Sequence, residues 1–569
     1  MNYKILFSVL SLLFILLLAS GTAFAAPVEI RTLEDLMAID DSVMNLSLDY
    51  ILMNDIDVGL EENDSFSFEP IGTGLAPFSG TFDGGGYTIS NITFSDDTRY
   101  GVGLFGYVIG SSSDDKAVLK NIVLKDVNIT GEDYVGGLVG FMTLSSISDS
   151  SAAANVTGIS NVGGLVGYSS SCTISNSSAT GDVFGDYLVG GFAGFLTNSP
   201  VSDCSAAGNV VGSSDSVGGF VGRLVKTSVS NSYATGNVAG SNDSVGGFVG
   251  FMYDCSVSDS YAAGNVKGVD YAGGFVGALS QSSVSKTYAA GDVEGNKYVG
   301  GFAGVLFQRF AIVSSSGQSG GNIPPYPPTS VSNSYATGNV TGTEDLGSFV
   351  GSAYNSTVSK SYAIGNAVGS GNNVSGFIGV LDDSTIADSF YIGTPKSTDS
   401  LKGFFVDSAE LKKIETFTTN GGYVSESWDI SSSPNSIAIW YINEGNSYPL
   451  FQWKGGSGSN NGSNNGSNNG SNNGGSSSGG NGVGSATIVN NTPTQSNTSL
   501  PNNTVQNTTP QENTDTPLPA QNNTPQNDSA APTSPGLGRS SISLWWILGI
   551  VLIIAIIGGV VYVLYSKQK

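Results

Sequence analysis

From Gly136 onward the apolar residues fall in short groups separated by Gly, Asn and Asp, and the groups return at a fixed interval. The pentapeptide Gly-Gly-Phe-Val-Gly, or a close variant, starts at Gly136, Gly163, Gly190, Gly218, Gly246, Gly273 and Gly300, at spacings of 27 or 28 residues. Looser copies start at Gly347 and Ser375, and Val102–Gly106 is an earlier outlier. The one long spacing, 47 residues from Gly300 to Gly347, is a normal unit plus about 20 more, with Phe307–Pro328 as the insert. Each unit carries a second block, clearest at Ser228–Val238 (SVSNSYATGNV).

Aligned on this period, four columns are apolar: Leu138 to Phe377, Ile147 to Ile386, Ala152 to Ala363 and Val156 to Val340. Within a unit the apolar residues alternate with small polar ones, which is strand and turn chemistry without helical period. Four apolar positions in 27 residues cannot close a core alone. Stacked coil on coil about 4.8 Å apart, the same positions become continuous internal ladders. The expected fold is therefore all-β, a parallel β-solenoid of about 27-residue coils. Gly at the block corners is expected to supply the positive φ of tight turns.

The two linked blocks, G-G-[LF]-[VA]-G and S-V-S-x-S-Y-A-x-G-N-V, resemble the GLUG motif of secreted and surface proteins of archaea, methanogens especially, and of bacteria. The resemblance covers residues 102–400. Tyr50–Val58, Pro70–Gly72 and Phe78–Ile89 are similar to the leader of such proteins, so 26–101 is expected to hold an N-terminal cap and the first coils. Trp428, Trp440-Tyr441 and Ser447–Trp453 are similar to their closing segment, expected at 401–454. The resemblance implies a right-handed parallel β-helix outside the cell, with no single activity. Some bacterial relatives join these repeats to a zinc protease, whose His-Glu-x-x-His motif is absent from this sequence.

The two ends supply an address. Met1–Ala25 has Lys4, an apolar run from Ile5 to Ala19 broken only by Ser8 and Ser11, and Ala23-Phe24-Ala25, the pattern of a signal peptide (1–25). Leu544–Tyr565 is uncharged and long enough, at ~1.5 Å per residue, to cross a ~30 Å hydrocarbon core. A transmembrane helix is expected at 541–566, with 567–569 as a cytoplasmic tail, giving a single-pass cell-membrane protein whose bulk is extracellular. Residues 455–540, rich in Asn, Gly, Ser, Thr and Pro, read as a disordered stalk. Nine N-x-S/T sequons there and ten before it suggest a glycoprotein, with Asn45, Asn128, Asn176, Asn242, Asn355, Asn461, Asn490, Asn507 and Asn527 as candidate sites.

Composition narrows the function classes. With 46 acidic residues against 21 basic, the net charge of −25 repels nucleic acid, and the absence of His excludes His-based triads and zinc sites. Cys172 and Cys255 share a column three coils apart, about 14 Å and too far for a bridge; with Cys204 they are expected reduced and semi-buried. Two polar columns, Asn155 to Asn366 and Asp149 to Asp388, could hold Ca²⁺ or cap turns; Lys286 and Lys360 in the second favour capping, and no metal site is assigned. The aromatic column Tyr233, Tyr261, Tyr288, Tyr335 and Tyr362 is either a platform for sugar rings or packed core, and is carried as the candidate glycan contact. No cofactor and no catalytic residue is assigned. The expected role is surface architecture or adhesion toward glycans or neighbouring-cell proteins, the alternative a polysaccharide-acting lyase or glycosidase.

Overall fold

The computed structural model describes residues 26–60, 68–113, 116–308, 328–393, 402–434 and 436–452. The expected signal peptide, stalk, membrane helix and tail lie outside the described residues, as do Asn461, Asn490, Asn507 and Asn527. Among the described residues no helix is long and apolar enough to cross a membrane.

One coil shows the plan of all. It consists of five short strands, Val245–Gly246, Val249–Tyr253, Ser256–Ser258, Tyr261–Ala262 and Val266–Lys267. Each pairs in parallel with its counterpart in the next coil, as in Val249 with Val276, Val257 with Val284, Tyr261 with Tyr288 and Val266 with Val293. Ladders one and two run through ten strands and ladder three through thirteen. Ladders four and five share the long strands Val123–Thr130 and Ser151–Thr157 and separate beyond them. The chain is thus a parallel β-solenoid of about eleven turns. The outlier at Val102–Gly106 is a full coil, Val102 pairing with Val135 and Phe105 with Val139.

The register also moves the edge of the insert. Phe307 pairs with Ser280 on one side and Tyr354 on the other, so it belongs to ladder two rather than to the loop. The described coil leaves at Gln308 and resumes at Pro328, and Val284, Val331 and Val358 remain in line across the gap.

All four apolar columns face the interior. Their core is a stack of fully buried rings, Phe192, Phe220, Phe248, Phe275, Phe302, Phe349 and Phe377, with centroids 4.7–5.1 Å apart. Strand spacing sets that distance, so each ring covers the faces of its neighbours.

The expectation for the block glycines is corrected. Positive φ falls instead on three columns of L-residues at the corners of each coil, among them Ser244, Asp254 and Asp259 in one coil and Tyr271, Gln281 and Lys286 in the next. The polar column Asp149, Asn176, Asp203, Asn231, Asp259, Lys286, Asn333, Lys360 and Asp388 is one of these corners throughout, with φ of 46–57°. Asn and Asp predominate there because they enter the left-handed region at least cost. The block glycines are needed for closeness: a Cβ on Gly247 would lie 2.1 Å from the Gly274 carbonyl oxygen. Among the block glycines Gly181 does take positive φ, at 108°, and outside the blocks Gly85 and Gly86, at 60° and 79°, form the Asp83–Gly86 turn, closed by Gly85 N–H to Asp83 Oδ1 at 2.9 Å.

Two buried hydroxyl columns pin successive coils. Ser199 Oγ donates to the Thr197 carbonyl at 2.8 Å and accepts from the Cys172 N–H of the preceding coil at 3.2 Å. The three cysteines occupy slots in these columns, with Cys172 and Cys204 1% exposed and Cys255 8%. All three are free thiols, and burial pushes Cys204 and Cys255 up to about 12.

At the N-terminal end a short helix, Leu33–Met37, is capped by a reciprocal pair, Thr32 accepting from Asp35 N–H while the Asp35 carboxylate accepts from Thr32 N–H. Leu36, Ile39 and Leu46 join the solenoid core. At the C-terminal end residues 402–452 do not continue the ladders beyond Phe404–Phe405. They lie along ladder four, burying Phe417, Trp428, Trp440 and Phe451 against Tyr288, Tyr335, Tyr362 and Phe390.

Candidate functional site

The tyrosine column is stacked as its spacing requires, with centroids 4.8–5.0 Å apart from Tyr233 to Tyr362. Only its first members reach solvent. Tyr233 is 38% exposed and Tyr261 half-buried, whereas Tyr288, Tyr335 and Tyr362 fall to 3%, 2% and 1%. Trp440 packs 6.1 Å from Tyr335 and 5.9 Å from Tyr362, and the Tyr362 hydroxyl donates to the Pro449 carbonyl. Burial accordingly pushes the Tyr288, Tyr335 and Tyr362 phenols up. Packed core, one of the two readings of this column, therefore holds for its last three rings, and Tyr288, Tyr335 and Tyr362 are corrected as candidate glycan contacts; stacked rings also present edges outward because their faces cover one another.

The Asn155 to Asn366 column lines, from Asn209 to Asn339, a shallow groove of about 490 Å³. Its side-chain oxygens accept from the backbone of the next coil, as in Asn209 N–H to Asp182 Oδ1 at 2.9 Å and Asn339 N–H to Asp292 Oδ1 at 2.7 Å. This is turn capping repeated along the rod. Among the described residues no group of three or more Cys, Asp or Glu is placed to hold a metal ion.

The described sequons divide by exposure. Asn128, Asn176 and Asn242 are exposed, with Asn176 Nδ2 donating to Asp149 at 2.5 Å and Asn242 Nδ2 to Asp215 at 2.9 Å. Asn45 and Asn355 are half-buried, their amides donating to Ala38 O at 2.8 Å and Gln308 Oε1 at 2.7 Å.

A second aromatic feature lies on ladder two. The residue after each pentapeptide points outward, and this column reads Tyr107, Phe141, Tyr168, Phe195, Arg223 and Phe251. Phe141 and Tyr168 stack at 4.9 Å, and the Arg223 guanidinium lies 5.7 Å from the Phe195 centroid and 5.2 Å from that of Phe251. The column then shrinks to Ala278, Val305 and Ser352, which are buried. This step opens a groove of about 480 Å³. Tyr271 and Tyr298, stacked at 4.9 Å, form one wall, Phe307 and Tyr354 the other, and Phe251 the end.

Charge at the groove's edge is acidic. Asp215, Asp243 and Asp270 occupy one position in successive coils, and burial, then Asp270 and Asp215, push the Asp243 carboxyl up. Lys297 is engaged with Glu344 at 2.8 Å and Asp345 at 3.5 Å, and its Nζ lies 4.8 Å from the Tyr298 ring centroid. The signal for this groove was in the repeat alignment: an aromatic column that stops at Ala278 while a neighbouring column, tyrosine before this only at Tyr134, carries two consecutive tyrosines, Tyr271 and Tyr298.

The fold and its repeated corners define a parallel β-solenoid built from Gly-Gly-φ-x-Gly coils. Three tandem repeats, at residues 158–183, 185–211 and 213–239, match the family model for "the GLUG motif". The ladders place the units on either side of this match in the same coil geometry. The chain is 38% identical over 122 residues to halomucin of Haloquadratum walsbyi, a stretch that is 20% of this chain and 1% of that protein. A crystal structure from Bacteroides ovatus, provisionally assigned as an immunoglobulin A1 protease, aligns at 19% identity over 42% of this chain and 77% of that one. Its TM-score of 0.31 is too low to bear on fold or function.

Proposed function

We propose that the protein is an extracellular, membrane-anchored rod that serves surface architecture or adhesion, through cell–cell or glycan contact, without catalysis. One observation carries this reading: the ladders hold register straight through the insert, Ser280 to Phe307 to Tyr354, so the same scaffold continues on both sides of it. The GLUG repeats, the partial likeness to halomucin, the signal-peptide pattern and the acidic charge support it. N-glycans at Asn128, Asn176 and Asn242, whose side chains are exposed, belong to the same reading. Protease treatment of intact cells should release fragments spanning residues 102–391, and cells lacking the protein should adhere less. Protected repeats would overturn the orientation.

A second reading, an enzyme acting on polysaccharide, is favoured by Asp243. Its carboxyl is pushed up beside an aromatic groove, and carboxyls one or two coils apart fall about 5–10 Å from one another, the range glycosidase pairs use. Chain cleavage of a polysaccharide by the purified protein, lost in Asp243→Asn, would establish it.

A further inference from the structure

We infer that the groove at Ala278, walled by Tyr271 and Tyr298 and by Phe307 and Tyr354, binds a neutral oligosaccharide of pyranose rings. The inference rests on the adhesive reading and narrows it to one place and one ligand class. Three independent features lead there.

The first is the availability of ring faces. Elsewhere in the solenoid an aromatic column hides its faces between coils, as the Phe192 to Phe377 stack does. On ladder two the column ends at Phe251, and Ala278 stands where the next ring would be. The forward face of Phe251 therefore opens into the groove while Arg223 backs its other side at 5.2 Å. Such a face, with apolar floor and phenol walls, suits the C–H face of a sugar.

The second is backbone strain at the walls. Tyr271 and Tyr298 have φ of 52° and 56°, at a corner that Asn161, Ser216, Ser244, Asp345 and Asn373 fill in other coils and that is bulky elsewhere only at Tyr134 and Leu188 among the described coils. A bulky side chain there costs about 1 kcal/mol or more relative to Asn. Both rings are half-exposed, so core burial does not account for them.

The third is charge and size. The carboxylates of Asp215, Asp243 and Asp270 run along the edge and repel anionic sugars, while they accept hydrogen bonds from neutral hydroxyls. Lys297, the cation at the wall, is already held by Glu344 and Asp345. A volume of about 480 Å³ spread over four coils takes a short run of linked rings rather than a protein segment.

The test uses the full chain and two variants taken from the repeat itself. Ala278→Phe continues the aromatic column that other coils carry and closes the groove. Tyr298→Asn removes a wall ring and installs the residue type of the same corner in other coils. Calorimetric titration with cellohexaose, chitohexaose, maltohexaose and mannohexaose, beside oligogalacturonate as the anionic probe, should show one neutral oligosaccharide bound at least about tenfold more tightly than the anionic one. Each variant should lose about tenfold or more of that affinity, roughly 1.4 kcal/mol, with an unchanged or higher melting temperature. Absence of binding to every neutral probe, tighter binding of oligogalacturonate, or wild-type affinity in Ala278→Phe would overturn the inference. Cell adhesion read in parallel separates the two claims. Adhesion unaltered in both variants while neither binding nor its loss is seen sinks the groove and leaves the adhesive reading. Sugar binding by a protein whose removal leaves adhesion intact does the reverse.

Discussion

Replacing Trp440 with alanine isolates the contact by which residues 402–452 hold the flank of the last coils. Trp440 is fully buried, 4.5 Å from the Phe451 ring centroid and 5.0 Å from that of Trp428, and its Nε1–H donates to Asn333 Oδ1 at 3.4 Å. Truncating a buried aromatic of this size costs about 3–5 kcal/mol, which includes edge and stacking contacts worth roughly 0.5–1.5 kcal/mol each. The segment's other anchors are Phe417, Trp428 and Phe451, Ser425 N–H donating to the Asp388 carboxylate at 2.6 Å, and Lys360 to Glu426 at 3.4 Å, an exposed pair worth little; Trp440 touches both Trp428 and Phe451, so its loss loosens the rest. The segment should therefore open locally while the ladders, stabilised coil by coil, persist. Two measurements report this. Amide exchange should accelerate in 402–452 and stay slow in 138–275. Alkaline titration followed at 295 nm should show Tyr335 and Tyr362 ionising near 10 instead of well above it. The sign follows from burial: the fold favours the neutral phenol, so this contribution is full below the unfolded value near 10 and is lost as pH rises through the folded one. Unchanged exchange in 402–452, or equal loss of protection in the ladders, would refute the reasoning.

Deleting one unit, Gly246–Ala272, joins Val245 to Gly273 in register and should leave a folded, shorter rod, whereas ten residues added within Ser228–Val238 should break neighbouring coils; equal loss of β-sheet circular dichroism in both would count against a solenoid. Gly247→Ala forces a Cβ to within 2.1 Å of the Gly274 oxygen and strains the Phe248 N–H to Phe275 O bond of 2.8 Å, so the denaturant midpoint should fall by the equivalent of about 2–4 kcal/mol. Cys204→Ser places in the column the hydroxyl that Ser177 and Ser232 already supply and should shift stability by less than about 1 kcal/mol; the wild-type Cys204 and Cys255 thiols, held up to about 12, should react with a thiol reagent at pH 8 only on unfolding. Asp243→Asn should raise the melting temperature at pH 7, with the gain shrinking as pH falls toward 4, because the fold favours the neutral carboxyl and wild type recovers that stability on protonation.

Much of this fold was legible in the sequence because a solenoid is nearly one-dimensional. When each coil touches only its neighbours, a 27- or 28-residue period with four apolar columns specifies both the register and the inward face, and Phe248 over Phe275 follows from alignment alone. The Asn155 and Asp149 columns were equally visible as columns. Their roles were not, because the backbone conformation at Asp259 or Lys286 and the 2.1 Å clearance above Gly247 are properties of the closed coil. Glycine was therefore assigned the positive φ that Asn and Asp carry. What lies outside the period needed the tertiary structure altogether. No local pattern says that residues 402–452 turn back along ladder four, yet that contact decides that Tyr288, Tyr335 and Tyr362 are core and not surface. The groove at Ala278 likewise forms between side chains on different coils and different ladders. A repeat sets what stacks on what; burial by a non-repeating segment, and the cleft left where a column runs out, depend on the chain meeting itself at a distance.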